Sequence, residues 1–186
     1  MRIGFDFDGV LCLTPFGRLA VHAPSPVADL PEGYAALYDQ PHASNLMRLA
    51  VEYARFGWRT NAPDAAAILH ELAGAHEIFI VTARSWDGER LLRRWLRRHK
   101  LDGRIAGIRM APPGLRPAQH KLATARLLGI DAHIDDDPRT AYHLASNGVA
   151  RVFLLDHAGA HGDAPLPSGL TLVRSLREFA DAVARA

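Results

Sequence analysis

Four short apolar runs, at residues 2–7, 77–82, 132–135 and 151–155, are separated from one another by sequence of helical pattern. Strands spaced in this way cannot pair through hairpins, because each return passes through a helix; a parallel sheet covered on both faces accommodates them. The pattern therefore predicts a three-layer, Rossmann-like doubly wound α/β fold, whose functional crevice lies at the carboxyl ends of the strands. Segments 105–109 and 170–173 read as short further strands. A helix is expected over 86–100, where Leu91, Leu92, Trp95 and Leu96 recur at helical spacing between arginines. Another is expected over 117–128, with Pro117 in its first turn and Gly129 just past its end. A third spans 138–146 and stops at Asn147-Gly148. The terminal helix, 175–184, takes Ser175 as N-cap and Glu178 to complete a capping box.

One segment breaks the alternation. Residues 11–60 are too many for a loop between a strand and its helix, carry prolines early, and then hold a helical stretch over 43–56. They read as an inserted helical cap over the carboxyl ends, leaving residues 1–10 and 61–186 as the core. Internal repeats and low-complexity tracts are absent.

A chain of 186 residues, 48% hydrophobic and 23% charged, fits one soluble domain with a modest appendage. The start lacks the charged and apolar regions of a signal peptide, and no stretch approaches the ~20 apolar residues of a membrane span. A cytoplasmic location without a membrane partner is the expectation. The single cysteine, Cys12, forms no internal disulfide and reads as a packed small residue beside the first strand. A net charge of +2 gives no basic field for nucleic acid. The lysines are Lys100 and Lys121 alone among many arginines, which marks both as positions where a compact ammonium serves better than a planar fork. Nothing in the pattern sets an oligomeric state.

The first apolar run ends in Asp6-Phe7-Asp8-Gly9. Residues i and i+2 of a strand share a face, so the two carboxylates are expected to point together, an arrangement tolerable only at a strand end. A divalent cation or bound phosphate there turns their repulsion to use. Three further polar features fall where the same crevice would gather them: Thr82-Ala83-Arg84-Ser85 after the second run, Lys121 early in a helix, and Asp135-Asp136-Asp137 after the third run.

In this order the residues resemble the four motifs of the haloacid dehalogenase superfamily, specifically its magnesium-dependent phosphatases: Asp6-Phe7-Asp8-Gly9-Val10, then Thr82, Lys121, and Asp135-Asp136. The resemblance spans about residues 2–156. The wording of Thr82-Ala83-Arg84 and Ile134-Asp135-Asp136 looks most like the C-type 5′-nucleotidase branch. The resemblance implies a phosphomonoester hydrolase for a small phosphorylated metabolite such as a nucleotide. Asp6 would be nucleophile and Asp8 general acid and base. Asp6, Asp136, Asp135 (directly or through water) and, by analogy, the Asp8 backbone carbonyl would hold Mg2+. The Thr82 hydroxyl and the amides from Ala83 onward would hold phosphoryl oxygens, and Lys121 would neutralise them.

Dehalogenase and phosphonate-cleaving branches lack the second acid of the first motif, so Asp8 speaks against them. A silent phosphate-binding module would need neither Asp6 nor Asp8, and an end-processing phosphatase for nucleic acid would need an open, basic approach. Asp137 reads as a helix N-cap and His133 as packed. Arg84 could reach a substrate phosphate, a cap carboxylate or a surface partner. Phe16, Tyr34, Tyr38, Trp58 and Arg59 could stack on a substrate but read first as cap packing. The arginines between Arg90 and Arg104 have the spacing of a solvated helix face.

Overall fold

The computed structural model describes residues 1–13, 27–39, 46–56, 59–156, 159 and 165–185. Phe16, Trp58 and positions 43–45 of the expected cap helix lie outside the described residues. The chain forms β1 (Arg2–Phe5), β2 (Cys12–Leu13), α1 (Leu46–Phe56), β3 (Thr60–Asn61), α2 (Ala65–Leu72), β4 (Glu77–Ser85), α3 (Glu89–Arg98), β5 (Ile105–Ala111), α4 (Pro117–Leu128), β6 (Ala132–Asp135), α5 (Pro138–Ser146), β7 (Arg151–Leu155), β8 (Leu170–Val173) and α6 (Leu176–Ala184).

Six strands make one sheet in the order β5-β4-β1-β6-β7-β8, and every pairing is parallel. From β1 the chain passes to β4 and β5 on one side, then returns to β6 on the other. The direction reverses around β1, so the crevice of the fold opens at its carboxyl end. Side chains alternate across β1: Ile3 and Phe5 enter a core with α2, α3 and α6, while α4 and α5 close a second core on the opposite face. In the first core the Phe179 ring meets Phe5 and Phe153 edge-on, with centroids 5.3 and 4.9 Å apart. Burying each such side chain contributes about 1.5–3 kcal/mol, which pins α6 under the strands that carry the acidic residues.

On the second face, His133 of β6 lies fully under β1. A Cβ at Gly4 would stand 2.5 Å from His133 Nδ1, so glycine here lets the imidazole pass beneath the central strand. Helix α4 is buried throughout residues 118–125 because it is covered twice, by the sheet and by residues 27–39. Gln119 Nε2 donates to the carbonyls of Ala28 and Asp29 at 3.2 and 2.7 Å. Tyr38, in a 3-10 turn (Tyr34–Tyr38), stacks on His120 and bonds through its hydroxyl to His120 Nδ1 at 2.8 Å and Thr124 Oγ1 at 3.2 Å. An antiparallel pair, Cys12 with Asn61 and Leu13 with Thr60, forms a stem at the two ends of the long segment between β1 and α2.

Several boundaries differ from expectation for local reasons. The first strand stops at Phe5, because the backbone from Phe7 onward turns on itself, with the amides of Leu11 and Cys12 both donating to the Phe7 carbonyl. Strand β4 runs three residues beyond Thr82, and a 3-10 turn over Trp86–Gly88 precedes α3, with Ser85 accepting from the Asp87 amide. At α6, Ser175 caps the Glu178 amide at 3.1 Å, but the Glu178 carboxylate accepts from the Arg174 amide, one residue before the expected box. Arginines 90, 93, 94, 97, 98 and 104 are exposed, as a solvated helix face requires. Among the described residues no helix is long and apolar enough to cross a membrane.

Gly4→Ala is expected to destabilise the protein by about 1–3 kcal/mol, the cost of overpacking against the His133 ring. Urea unfolding monitored by circular dichroism checks this; an unchanged midpoint would mean that the imidazole can yield without loss.

Candidate active site

Asp6 is the first residue past β1, and its amide still donates to the Ile134 carbonyl of β6 at 3.0 Å. The tie holds its buried carboxyl beside the end of β6, where Asp135 and Asp136 follow. Gly9 then lets the turn fold over them. It sits at φ +81°, and a Cβ there would stand 1.6 Å from Asp136 Oδ2, so both the backbone conformation and the space demand glycine. One carboxylate oxygen from each of Asp6, Asp135 and Asp136 falls within 4.8 Å of the others, and all three residues are buried.

Lys121 reaches this cluster from the first turns of α4. Its ammonium lies 2.9 Å from Asp6 Oδ2 and 2.6 Å from Asp135 Oδ2, with the side chain 4% exposed. Burial alone would favour the neutral amine, but the charges of Asp135 and Asp6 outweigh it and hold the lysine above its ordinary value. Burial likewise pushes the Asp135 carboxyl up, yet Lys121 and the bond from His133 bring it well below the usual range. His133 Nε2 meets Asp135 Oδ2 at 3.3 Å. Burial keeps that imidazole neutral, so the nitrogen facing the carboxylate carries the proton. Asp135 Oδ1 accepts from the Asp137 amide at 3.0 Å, so both its oxygens are engaged within the protein. Asp6 has the opposite balance. Burial raises it beyond what Lys121 recovers, and Asp135 and Asp136 raise it further, from 3.8 to about 7.

The expectation that Asp6 and Asp8 share a face rests on a strand running through both, whereas β1 ends at Phe5, before either, and the two carboxylates take different partners. The Asp8 carboxylate turns to the guanidinium of Arg84, whose Nε and Nη2 hold its two oxygens at 2.7 and 2.9 Å. Arg59 pairs with Oδ1 of the same carboxylate and extends Nη1 to 3.7 Å from Cys12 Sγ. Arg84 is not a surface residue. It is 5% exposed, pairs through Nη1 with Glu52 of α1, and lies over the rings of Phe56 and Phe7 at 4.4 and 5.4 Å. Thr82, two residues earlier in β4, is buried, and its Oγ1 accepts from the Arg84 amide at 3.3 Å, leaving the hydroxyl proton to donate elsewhere. Ala83 is part of β4, where the pairing with β5 shifts register between Thr82 and Ser85, so the amides after Thr82 belong to a strand end and not to the strand-to-helix turn expected for them.

Asp137 is the N-cap residue of α5 and takes a hydrogen bond from the Thr140 hydroxyl at 2.9 Å. Cys12 is fully buried, and burial pushes its thiol up to about 12, in keeping with a packed side chain. Tyr38 serves the docking of residues 27–39 on α4. Glu52 escaped the sequence reading. Its one signal was a lone acid among apolar residues in α1, and nothing linear connects it to Arg84, 32 residues on.

No protein-family model matches the chain, and no curated protein matches it. Solved structures do. A hydrolase of the haloacid dehalogenase-like family from Streptococcus pneumoniae superposes with a TM-score of 0.62 at 15% identity, covering 98% of this chain and 97% of that one. A predicted phosphatase from Clostridium acetobutylicum gives 0.63 at 13%, covering 100% and 98%. An L-2-haloacid dehalogenase gives 0.59 at 12%, covering 81% and 67%. At such identities the similarity establishes the fold alone, that of haloacid dehalogenase-like hydrolases.

The residues present fit a hard divalent cation. Asp6 Oδ1 is buried without a hydrogen-bond partner among the described residues, and the donor set is entirely carboxylate. Folded Asp6 binds its proton more tightly than the unfolded chain does. Without metal, stability contributed at this group is therefore fullest near pH 4 and declines as pH rises to about 7. A divalent cation held by Asp6 would compete with that proton, so a thermal shift produced by Mg2+ is expected to grow from pH 5 to pH 8, and Asp6→Asn to flatten both trends. Thermal melts with and without Mg2+ across this range check it; a shift independent of pH would contradict it.

Proposed function

We propose that the protein is a magnesium-dependent phosphomonoester hydrolase that works through an aspartyl phosphate on Asp6, acting on a small phosphorylated metabolite. The observation that carries the proposal is the asymmetry of the Asp6 carboxylate. Lys121 holds one oxygen, while the other is buried and unsatisfied beside Asp135 and Asp136. A buried carboxylate oxygen without a partner costs several kcal/mol, so the site is arranged for an occupant that supplies positive charge. Asp6 and Asp136 would hold Mg2+, with Asp135 oriented by His133 and Lys121; the bound ion would neutralise negative charge on Asp6 and the phosphoryl group.

In the first half of the reaction the Asp6 carboxylate attacks phosphorus, the ester P–O bond breaks, and Asp8 gives its proton to the departing oxygen. In the second, Asp8 takes a proton from water as that water attacks the aspartyl phosphate, which returns Asp6 and releases inorganic phosphate. Lys121 offers three donors, and Asp6 and Asp135 take two; the third is available to a phosphoryl oxygen. The Thr82 hydroxyl is a second donor to the same group. Ala83 would take part through its backbone amide, since its side chain has no polar group.

The nucleotide class of substrate is suggested by the residues around Thr82-Ala83-Arg84 and Ile134-Asp135-Asp136, though none of the structural relatives named above is described as a nucleotidase. Asp8 favours an ester oxygen over a halide as the leaving group, since a halide ion needs no proton to leave. Nucleic acid and membranes are not proposed as partners.

With Mg2+, the protein is expected to release phosphate from at least one member of a panel of nucleoside monophosphates, deoxynucleotides and sugar phosphates. Asp6→Asn should bring release to background, and a strong chelator should do so reversibly. A wild-type protein that binds inorganic phosphate but releases none from any substrate would instead identify a silent binding module. Undiminished release by Asp6→Asn would reject the covalent mechanism.

A further inference from the structure

Asp8 is held in an unusual way for a group that must hand over a proton. Both its oxygens sit on the fork of one guanidinium, and that guanidinium is itself buried and held from behind. Arg84 turns its third nitrogen, Nη1, to Glu52, a residue 4% exposed on α1. The ring of Phe56, from the last turn of the same helix, covers the guanidinium at 4.4 Å, and Phe7, between the two aspartates, flanks it at 5.4 Å. Gly88 makes the approach of α1 possible, since a Cβ there would stand 3.1 Å from Glu52 Cγ. The chain Glu52–Arg84–Asp8 thus runs from the segment between β1 and α2, through the end of β4, to the acid of the first motif.

Packing alone does not account for this chain. Apolar side chains of similar volume usually stabilise a buried site as well as an ion pair does, because desolvating the charges offsets their attraction. A bidentate fork supplies what apolar packing lacks, a fixed plane and a fixed rotamer for the carboxylate it grips. Two guanidinium groups favour the carboxylate form, so Asp8 takes up the proton it delivers when the negatively charged phosphoryl group binds beside it, and general acid catalysis then depends on that alignment.

Resting on the phosphatase reading, we propose that Arg84, braced by Glu52, is the positioning residue for Asp8, and that the leaving group it serves is a poor one, the alkoxide of an aliphatic alcohol or sugar. A good leaving group departs without a proton and needs no aligned acid. Arg59, on Asp8 Oδ1, secures the carboxylate from the β3 side and keeps it from rotating on the fork.

The test reads kcat/KM, which reports formation of the aspartyl phosphate through departure of the alcohol, along a series of aryl phosphates from 4-methoxyphenyl to 2,4-dinitrophenyl phosphate, with Mg2+. Arg84→Lys keeps a cation for Glu52 but cannot hold both Asp8 oxygens in a plane. It is expected to lower kcat/KM by about 10-fold or more on the poorest leaving group and by less than about 3-fold on the best, a fraction of the ~10²–10⁴ that general acid catalysis supplies. Glu52→Gln, which preserves shape, should tilt the series the same way to a smaller degree. In an Asp8→Asn background, Arg84→Lys should add little further loss, as two residues acting through one step require. A loss uniform along the series in both variants would assign Arg84 to substrate binding or to structure and overturn the positioning role, as would full additivity with Asp8→Asn. Absence of phosphate release from the wild type would overturn the phosphatase function, and this role with it.

Discussion

The ammonium of Lys121, shared by Asp6 and Asp135 at 2.9 and 2.6 Å, is the contact on which the rest of the site depends. Three carboxyl groups brought within 4.8 Å of one another in a buried pocket repel strongly, and each loses several kcal/mol of hydration. A lysine on the adjoining helix compensates part of this and leaves the remainder as a demand for a cation. The fold exists around that arrangement in a direct sense. Strands β1 and β6 lie side by side, Gly4 admits His133 beneath them, Gly9 admits Asp136 above, and α4 is covered so completely that its lysine cannot turn to solvent.

Asp6 and Asp8, two residues apart, have been given opposite surroundings. Asp6 keeps one oxygen on a lysine and one without a partner among the described residues; Asp8 has both oxygens on arginines. In the proposed roles, the difference leaves Asp6 open to an incoming group and gives Asp8 a fixed direction. The break in the strand after Phe5 makes the separation possible, since a continued strand would have aimed both carboxylates into the same space. Phe7 fills the gap, its ring 4.9 Å from that of Trp95 and 5.9 Å from that of Phe56, so the turn carrying Asp8 is itself packed in place.

Much of the core was legible because its signals are local. Pro117 and Gly129 bracket α4, Asn147-Gly148 stops α5, and the acidic triplet marks the end of β6, so these elements have the boundaries their residues predict. The convergence of Asp6, Lys121, Asp135 and Asp136 was legible from topology alone, since the ends of adjacent parallel strands share a crevice. The arginine clamp was not. Whether Arg84 met solvent, a phosphate or a carboxylate depended on where α1 lies, and that position is set by contacts between residues far apart in the chain, Glu52 with Gly88 and Phe56 with Arg84. Tyr38 read as cap packing for the same reason, although its partner is His120, beside the lysine of the site.

The central claim is that Asp6 carries the phosphoryl group during turnover. The most direct measurement quenches the working enzyme and reduces it with borohydride, which converts an acyl phosphate to an alcohol and would turn Asp6 into homoserine, located by peptide mass spectrometry. The account predicts homoserine at position 6 when a phosphorylated substrate is turning over, and none without substrate. Turnover with position 6 unmodified, or the modification at another acid, would contradict it.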